Sequence, residues 1–291
     1  MRIDLLSVPY DSGMRGARMG AGPDALLATG LIDRLKAGGH EISHAAIELP
    51  ETGFFPEVQA AFALDRTLAG AVSASVARGA FPIVLSGNCI TSVGTVGGIG
   101  DSDLGAIWFD AHGDFNTPET TASGFLDGMA LGILTGRCWH LLATSVPGFT
   151  RLAQDRVMLV GARHFDPAEE TSLSQSPIAR VTAAAARNGI EHDLKQLRER
   201  ASDIYLHIDL DVLDPTECKA NNFAVENGLS LAELQEIIQS IAGMFRVRAA
   251  ALTAYDPAHD AGGRAAESAM SVLATVADAV ALSQHSQDWD S

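Results

Sequence analysis

Short apolar runs rich in Val, Ile, Leu and Phe alternate along the chain with longer Ala- and Leu-rich stretches of helical period. That alternation predicts strand–helix–strand units and a parallel sheet. The runs place strands near residues 3–8, 42–47, 82–85, 104–109, 156–160, 179–181, 204–208 and 248–254. The helical stretches fall near 23–27, 54–78, 90–99, 128–134, 168–174, 183–188, 191–200, 231–244 and 263–283. No Pro/Ser-rich linker or block of charge separates two halves, and the strands continue at even spacing through the middle. The expectation is an α/β fold in a single domain over residues 1–291, with helices packed on a mostly parallel sheet.

Four of the strands end in dense polar sequence: Ser86-Gly87-Asn88-Cys89, Asp110-Ala111-His112-Gly113-Asp114, Gly161-Ala162-Arg163-His164 and Asp209-Leu210-Asp211. In an open α/β sheet, ligands sit at the carboxyl ends of the strands, so these four ends can converge on one site.

Composition narrows the partners. Of 291 residues, 47% are apolar and only 6% aromatic, enough for a core of Ala, Val, Leu and Ile. A formal charge of −16 repels phosphate backbones and anionic lipid, which disfavours nucleic acid and membrane surfaces and leaves a small molecule or a metal ion. Such acidity also serves solubility alone. Cys89, Cys138 and Cys218 are odd in number and widely spaced, the N-terminus carries charges within its first apolar run, and no uncharged run of 18 apolar residues occurs. A reducing, cytoplasmic setting is expected.

The sharpest chemistry lies in two motifs. Side chains alternate along extended backbone, so Asp110, His112 and Asp114 can face one side if extension persists past the strand end. By the same alternation Asp209 and Asp211 share a face. Four carboxylates brought together raise one another's pKa values unless cations neutralise them, and carboxylate plus imidazole suits Mn²⁺ and related first-row ions. A lone motif of either kind is usually a solvated loop or a helix cap; two, each directly after an apolar run, point to metal. His207 is expected to face away from Asp209 or to be buried, as a core or supporting histidine. His40, His44, His140, His192, His259 and His285 have no comparable context and are read as structural or solvated.

At these residues the chain resembles the arginase, agmatinase and formiminoglutamase superfamily, over nearly its whole length. The matching segments are Asp110-Ala111-His112-Gly113-Asp114 with Asn116-Thr117-Pro118 and Ser123-Gly124 after it, and Asp209 through Pro215. Gly22-Pro23, Gly161-Ala162-Arg163 with Asp166 and Glu169, and Gly228-Leu229-Ser230 match in order and spacing. The resemblance implies a three-layer α/β/α fold, two divalent ions, Mn²⁺ foremost, and often a homo-oligomer. It implies that Asp110 and Asp209 bridge the ions, that His112 and Asp211 complete the second, and that Asp114 binds the first and holds the attacking hydroxide. Asn116 and Ser123 fall where an amino-acid substrate's carboxylate is held, and Asp166 and Glu169 where its ammonium is held. For each of these four the alternative is loop capping.

Three positions depart from the family pattern. Cys89 stands where a histidine ligates the first ion: either it is a ligand, with altered metal choice, or it packs nearby and leaves that site weak. Hydrolases of N-hydroxyarginine are similar in carrying cysteine there. Asp127 aligns with a proton-shuttling histidine and is a second relay candidate, and Ala254 aligns with the glutamate that pairs a guanidinium. The expected function is hydrolysis of a C–N bond in a guanidino, hydroxyguanidino or amidine group, N-hydroxyarginine-like rather than arginine. The alternative is a catalytically altered relative that binds a ligand or metal. A deacetylase-like amide hydrolase ranks last, since no His-His dipeptide occurs.

Overall fold

The computed structural model describes residues 1–49 and 56–287. Its strands, in chain order, are β1 (Arg2–Val8), β2 (Tyr10–Asp11), β3 (Met14–Arg15), β4 (Glu41–Ala46), β5 (Phe81–Ser86), β6 (Gly105–Phe109), β7 (Val157–Val160), β8 (Ala179–Val181), β9 (Asp203–Asp209) and β10 (Arg246–Thr253). Eight of them form one sheet in the order β4-β1-β5-β10-β9-β6-β7-β8, and every pairing in it is parallel. β2 and β3 make a small antiparallel hairpin outside it.

The central strands are apolar on both faces because both faces are covered. Leu5, Leu85, Phe109, Leu206 and Leu252 join one core with the helices Leu231–Met244 and Arg264–Gln287. Leu6, Val84, Trp108, Tyr205 and Ala251 join the other, against Glu57–Ala77 and Ser92–Ile99. The result is three layers, helix on sheet on helix. The stretch Arg264–Gln284 is long and apolar enough to cross a membrane by composition, yet more than half of its most apolar 18 residues are buried in the protein.

The sequence expectations hold for all eight sheet strands to within two residues at each end. Among the elements not expected are the β2–β3 hairpin, only two residues per strand, the helix Leu31–Ala37, whose buried residues are just Leu31 and Leu35 between flanking glycines, and the single turn His140–Ala143. The expected helix start at Phe54, the last residues of the polar tail and the side chain of His285 lie outside the described residues.

β5 and β6 follow one another along the chain but are separated in the sheet by β10 and β9. That reversal opens a crevice at the carboxyl edge, where loops leave in opposite directions. The residues after β5, β6, β9 and β10 all surround it.

Candidate metal centre

β6 and β9 are neighbours in register, Trp108 level with His207 and Phe109 with Ile208, so Asp110 and Asp209 emerge side by side. The two motifs then tie each other down through backbone N–H groups. Ala111 N–H donates to Asp211 Oδ1 at 3.2 Å, His112 N–H to Asp110 Oδ1 at 2.7 Å, and Asp211 N–H to Asp209 Oδ1 at 2.9 Å. His112 Nδ1 lies 3.3 Å from Asp110 Oδ1 and 3.5 Å from Asp211 Oδ2. Alternation accounts for less of this than expected. The strand stops at Phe109, Asp211 lies in the 3-10 turn Leu210–Val212, and Asp114 takes a left-handed backbone with φ 48°. Turns, rather than continued extension, aim Asp114 and Asp211 at the cleft.

The electrostatics are severe. Asp110, Asp114, Asp209 and Asp211 are each no more than 6% exposed. Burial pushes the carboxyls of Asp114 and Asp209 well up, and their anionic neighbours push further; burial also raises Asp110, against the opposing pull of His112. Burial opposes charge on His112, but Asp211 and Asp110 outweigh it and raise the imidazole to about 9. Among the described residues His112 is the one cationic side chain paired with these carboxylates. Asp114 Oδ2 is buried with no hydrogen-bond partner. A thiol, an imidazole and four carboxylates with an orphaned oxygen suit first-row divalent ions. The donor atoms form two sets, Cys89–Asp110–His207 and Asp110–His112–Asp211, each within 4.8 Å of one another. Asp110 belongs to both, so these residues fit a pair of ions sharing it.

Beneath the carboxylates His207 is buried, one of the two placements expected for it, and does not face away from Asp209. Two residues before Asp209 on the same strand, it faces the same side, fully buried and stacked on Trp108 with ring centroids 3.5 Å apart. Tyr205 Oη lies 2.9 Å from its Nδ1, and Thr253 Oγ1 lies 3.4 Å from its Nε2. Cys89 is buried at 2% exposure, its Sγ 3.3 Å from Asp209 Oδ2 and 3.2 Å from Thr253 Oγ1. Burial, then the carboxylates around it, pushes the Cys89 thiol well up, so a thiolate here requires a neighbouring cation.

A cavity of about 260 Å³ opens above the cluster, and its walls include Cys89, His112, Asp114, Asn116, Ser123, Asp127, Asp166, Glu169, Asp209 and Asp211. Asp110 lies just behind that wall. Several of these side chains are also tied to structure. Asp166 and Glu169 form a capping box at the start of Pro167–Ser174, and Glu169 Oε1 accepts Phe115 N–H at 2.8 Å. Asn116 Nδ2 donates to Asp166 Oδ2 at 3.2 Å, and Ser123 Oγ accepts Phe125 N–H at 3.1 Å. Asp127 accepts from Asn88 Nδ2 at 2.9 Å and from Ile90 N–H at 3.0 Å, clamping the Cys89 loop. Burial raises its carboxyl to about 8, and burial raises Glu169 to about 6.

Other contributors have no role assigned from the sequence, where Arg163 figures only as part of a polar strand end. Trp108 Nε1 donates to Asp110 Oδ2 at 3.1 Å; its i, i+2 relation to Asp110 was the available signal. Arg163 donates to the carbonyls of Gly161, Asp211 and Val225, fixing the backbone behind Asp211. Asn221 Nδ2 bridges Asp211 Oδ2 at 3.3 Å and Ala254 O at 2.9 Å. Phe125 and Phe223 stack at the cavity rim, 5.8 Å between centroids. For Asn221 and Phe223 no local pattern marked the loop.

A parallel sheet with a carboxylate-rich cluster at its switch point defines an α/β protein with a candidate metal centre. The chain belongs to the arginase family, whose model matches residues 1–278. An arginase of Staphylococcus aureus (strain COL) is 30% identical over 291 residues, spanning 94% of this chain and 96% of its own. The native structure of arginase from Bacillus caldovelox at pH 5.6 is 29% identical, with a TM-score of 0.84 over 94% of this chain and 97% of that one. The agmatine ureohydrolase of Thermoplasma volcanium, 18% identical over 98% of this chain and 91% of its own, shares the fold at a TM-score of 0.70. The resemblance read from the motifs and the three-layer arginase-like fold are thereby both met.

Proposed function

We propose that the protein is a binuclear metal-dependent hydrolase that cleaves a C–N bond in a guanidino, hydroxyguanidino or amidine group of an amino-acid-like substrate, N-hydroxyarginine-like in preference to arginine. The observation that carries this reading is the orphaned, buried Asp114 Oδ2 on the wall of a cavity where, among the described residues, His112 is the one cation ion-paired with the clustered carboxylates. The S. aureus and B. caldovelox relatives are arginases. Asp110 and Asp209 would hold both ions, His112 and Asp211 the second, and Asp114 and Cys89 the first, with Mn²⁺ the leading candidate. The bound pair supplies Lewis acidity that turns water into a nucleophile near neutral pH.

The chain's own groups do the rest. Asp114 orients the attacking oxygen toward the planar carbon and carries its proton to the leaving nitrogen as the C–N bond breaks. Asp127, whose carboxyl burial raises in the metal-free protein, would be a second relay at the cavity wall. Asn116 and Ser123 would bond the substrate's carboxylate and Asp166 and Glu169 its ammonium, all four being cavity-lining side chains. Ala254 leaves no carboxylate to pair a guanidinium, which favours a less basic head group.

A metal-reconstituted screen of arginine, N-hydroxyarginine, agmatine, guanidinobutyrate and formiminoglutamate, reading urea, hydroxyurea or formamide, tests the proposal. Fastest release from N-hydroxyarginine is expected; two bound ions with no turnover on any compound overturns it. The changes at Cys89, Asp127 and Ala254 also support a second reading, a ligand- or metal-binding relative without turnover. Fewer than one ion per chain after metal-replete purification favours that reading.

A further inference from the structure

The two donor sets sharing Asp110 differ in chemistry. One, Asp110–His112–Asp211, is all nitrogen and oxygen and partly open to the cavity; the other, Cys89–Asp110–His207, adds sulfur and is buried throughout. Resting on the binuclear reading above, we propose that His207 is a metal ligand, and that with Cys89 it makes the inner half of the centre a site for a borderline ion such as Zn²⁺, Co²⁺ or Fe²⁺, while the outer half suits Mn²⁺.

The surroundings of His207 fit a ligand. A metal-bound imidazole keeps a lone pair on one nitrogen and donates the proton of the other to a fixed partner. Nδ1 has that partner in Tyr205 Oη at 2.9 Å. Nε2 has only the long 3.4 Å contact to Thr253 Oγ1 and is the nitrogen left free to take an ion. Thr253 also lies 3.2 Å from Cys89 Sγ, where its hydroxyl can donate to a thiolate. Trp108, flat against the ring on one face, fixes its plane. Zinc–sulfur and zinc–imidazole bonds run about 2.3 and 2.0–2.1 Å, so two donors of one tetrahedral ion lie about 3.6 Å apart. The donor atoms of Cys89, Asp110 and His207, within 4.8 Å of one another, reach that span by closing about 1 Å around an ion.

Titrating chelator-stripped full-length protein with Co²⁺ tests this, since thiolate-bound cobalt shows a near-ultraviolet charge-transfer band that carboxylate-bound cobalt lacks. Two ions per chain are expected, one of them giving the band. Cys89→Ser should abolish it, and His207→Gln should weaken that ion at least 10-fold while leaving the other. X-ray absorption on the zinc-loaded wild-type protein reads sulfur and imidazole neighbours without any variant, and covers a His207→Gln chain that fails to fold. Two ions bound with only oxygen and nitrogen around them, or an unchanged inner-site affinity in a folded His207→Gln variant, overturn this inference and leave the hydrolase reading standing. No ion bound at all overturns both.

Discussion

The indole of Trp108 lies parallel to the imidazole of His207, planes inclined by 13°, while its Nε1 donates to Asp110 Oδ2 at 3.1 Å. One side chain thus braces both a buried histidine and the carboxylate common to both donor sets. Trp108→Phe keeps an aromatic surface but removes the donor. Groups that orient a ligand in this way are typically worth 10–100-fold in metal affinity, and that loss is expected in equilibrium dialysis against buffered Mn²⁺ or Zn²⁺. An unchanged affinity would show that Asp110 needs no orienting partner.

Asp114 separates chemistry from metal retention. Asp114→Asn keeps the size of the side chain but cannot accept the proton of the attacking water, so turnover should fall by at least about 100-fold on any substrate found. Asp209→Ala should abolish both activity and ion binding. Elemental analysis alongside product release distinguishes the two, and full activity in either variant would refute the assigned roles.

The carboxyls predict an unusual pH response in the metal-free protein. Burial raises Asp127 to about 8 and Glu169 to about 6, so the folded chain keeps protons that the unfolded chain has released above about pH 4 to 4.5. Wherever the folded state binds more protons, stability falls as pH rises. That contribution is whole at about pH 4 and is lost progressively up to about pH 8. The melting temperature of chelator-treated protein should therefore drop between pH 5 and pH 8, Asp127→Asn should flatten the drop, and added Mn²⁺ should stabilise most at pH 8. A melting temperature that rises over that interval contradicts the burial argument.

Gly22 and Gly228, both in motifs that match the family, are held by close backbone approach. A Cβ on Gly22 would stand 2.2 Å from Tyr255 O, and one on Gly228 would stand 2.5 Å from Asp214 N. Neither neighbour is a flexible side-chain end, so the backbone must move. Gly22→Ala should cost about 1–3 kcal/mol, read as a lower denaturation midpoint, with Gly70→Ala, which meets nothing within 4 Å, as the control.

Much of this was legible because the sheet is buried on both faces: runs such as Ile204–Ile208 and Ala106–Phe109 had to be apolar throughout, and the polar residues directly after them stood out. What could not be read was geometry set by turns and tertiary contact. Alternation placed Asp110 and Asp209 but not Asp114, whose left-handed backbone breaks the period. It also applied to His207, two residues before Asp209, and should have put both on one face. The roles of Asn221 and Arg163 depend on which loops meet across the cavity, and local sequence carries no such information.

Ala254 offers the most direct handle on specificity. It follows β10, is 2% exposed, lines the cavity and has a left-handed backbone with φ 63°, held by Asn221 Nδ2 on its carbonyl. Ala254→Glu would place a carboxylate on the cavity wall, where a guanidinium can take it in a bidentate, charge-assisted pair. Alanine already bears the Cβ that makes this conformation costly, so glutamate adds little backbone strain. Pairing of that kind contributes roughly 1.5–3 kcal/mol, about 10- to 150-fold in affinity. Arginine binding by calorimetry and urea release should both rise relative to the parent, with N-hydroxyarginine gaining less because its head group is less basic. If Ala254→Glu folds yet arginine gains nothing, the head group lies elsewhere in the cavity and the argument from the missing carboxylate fails.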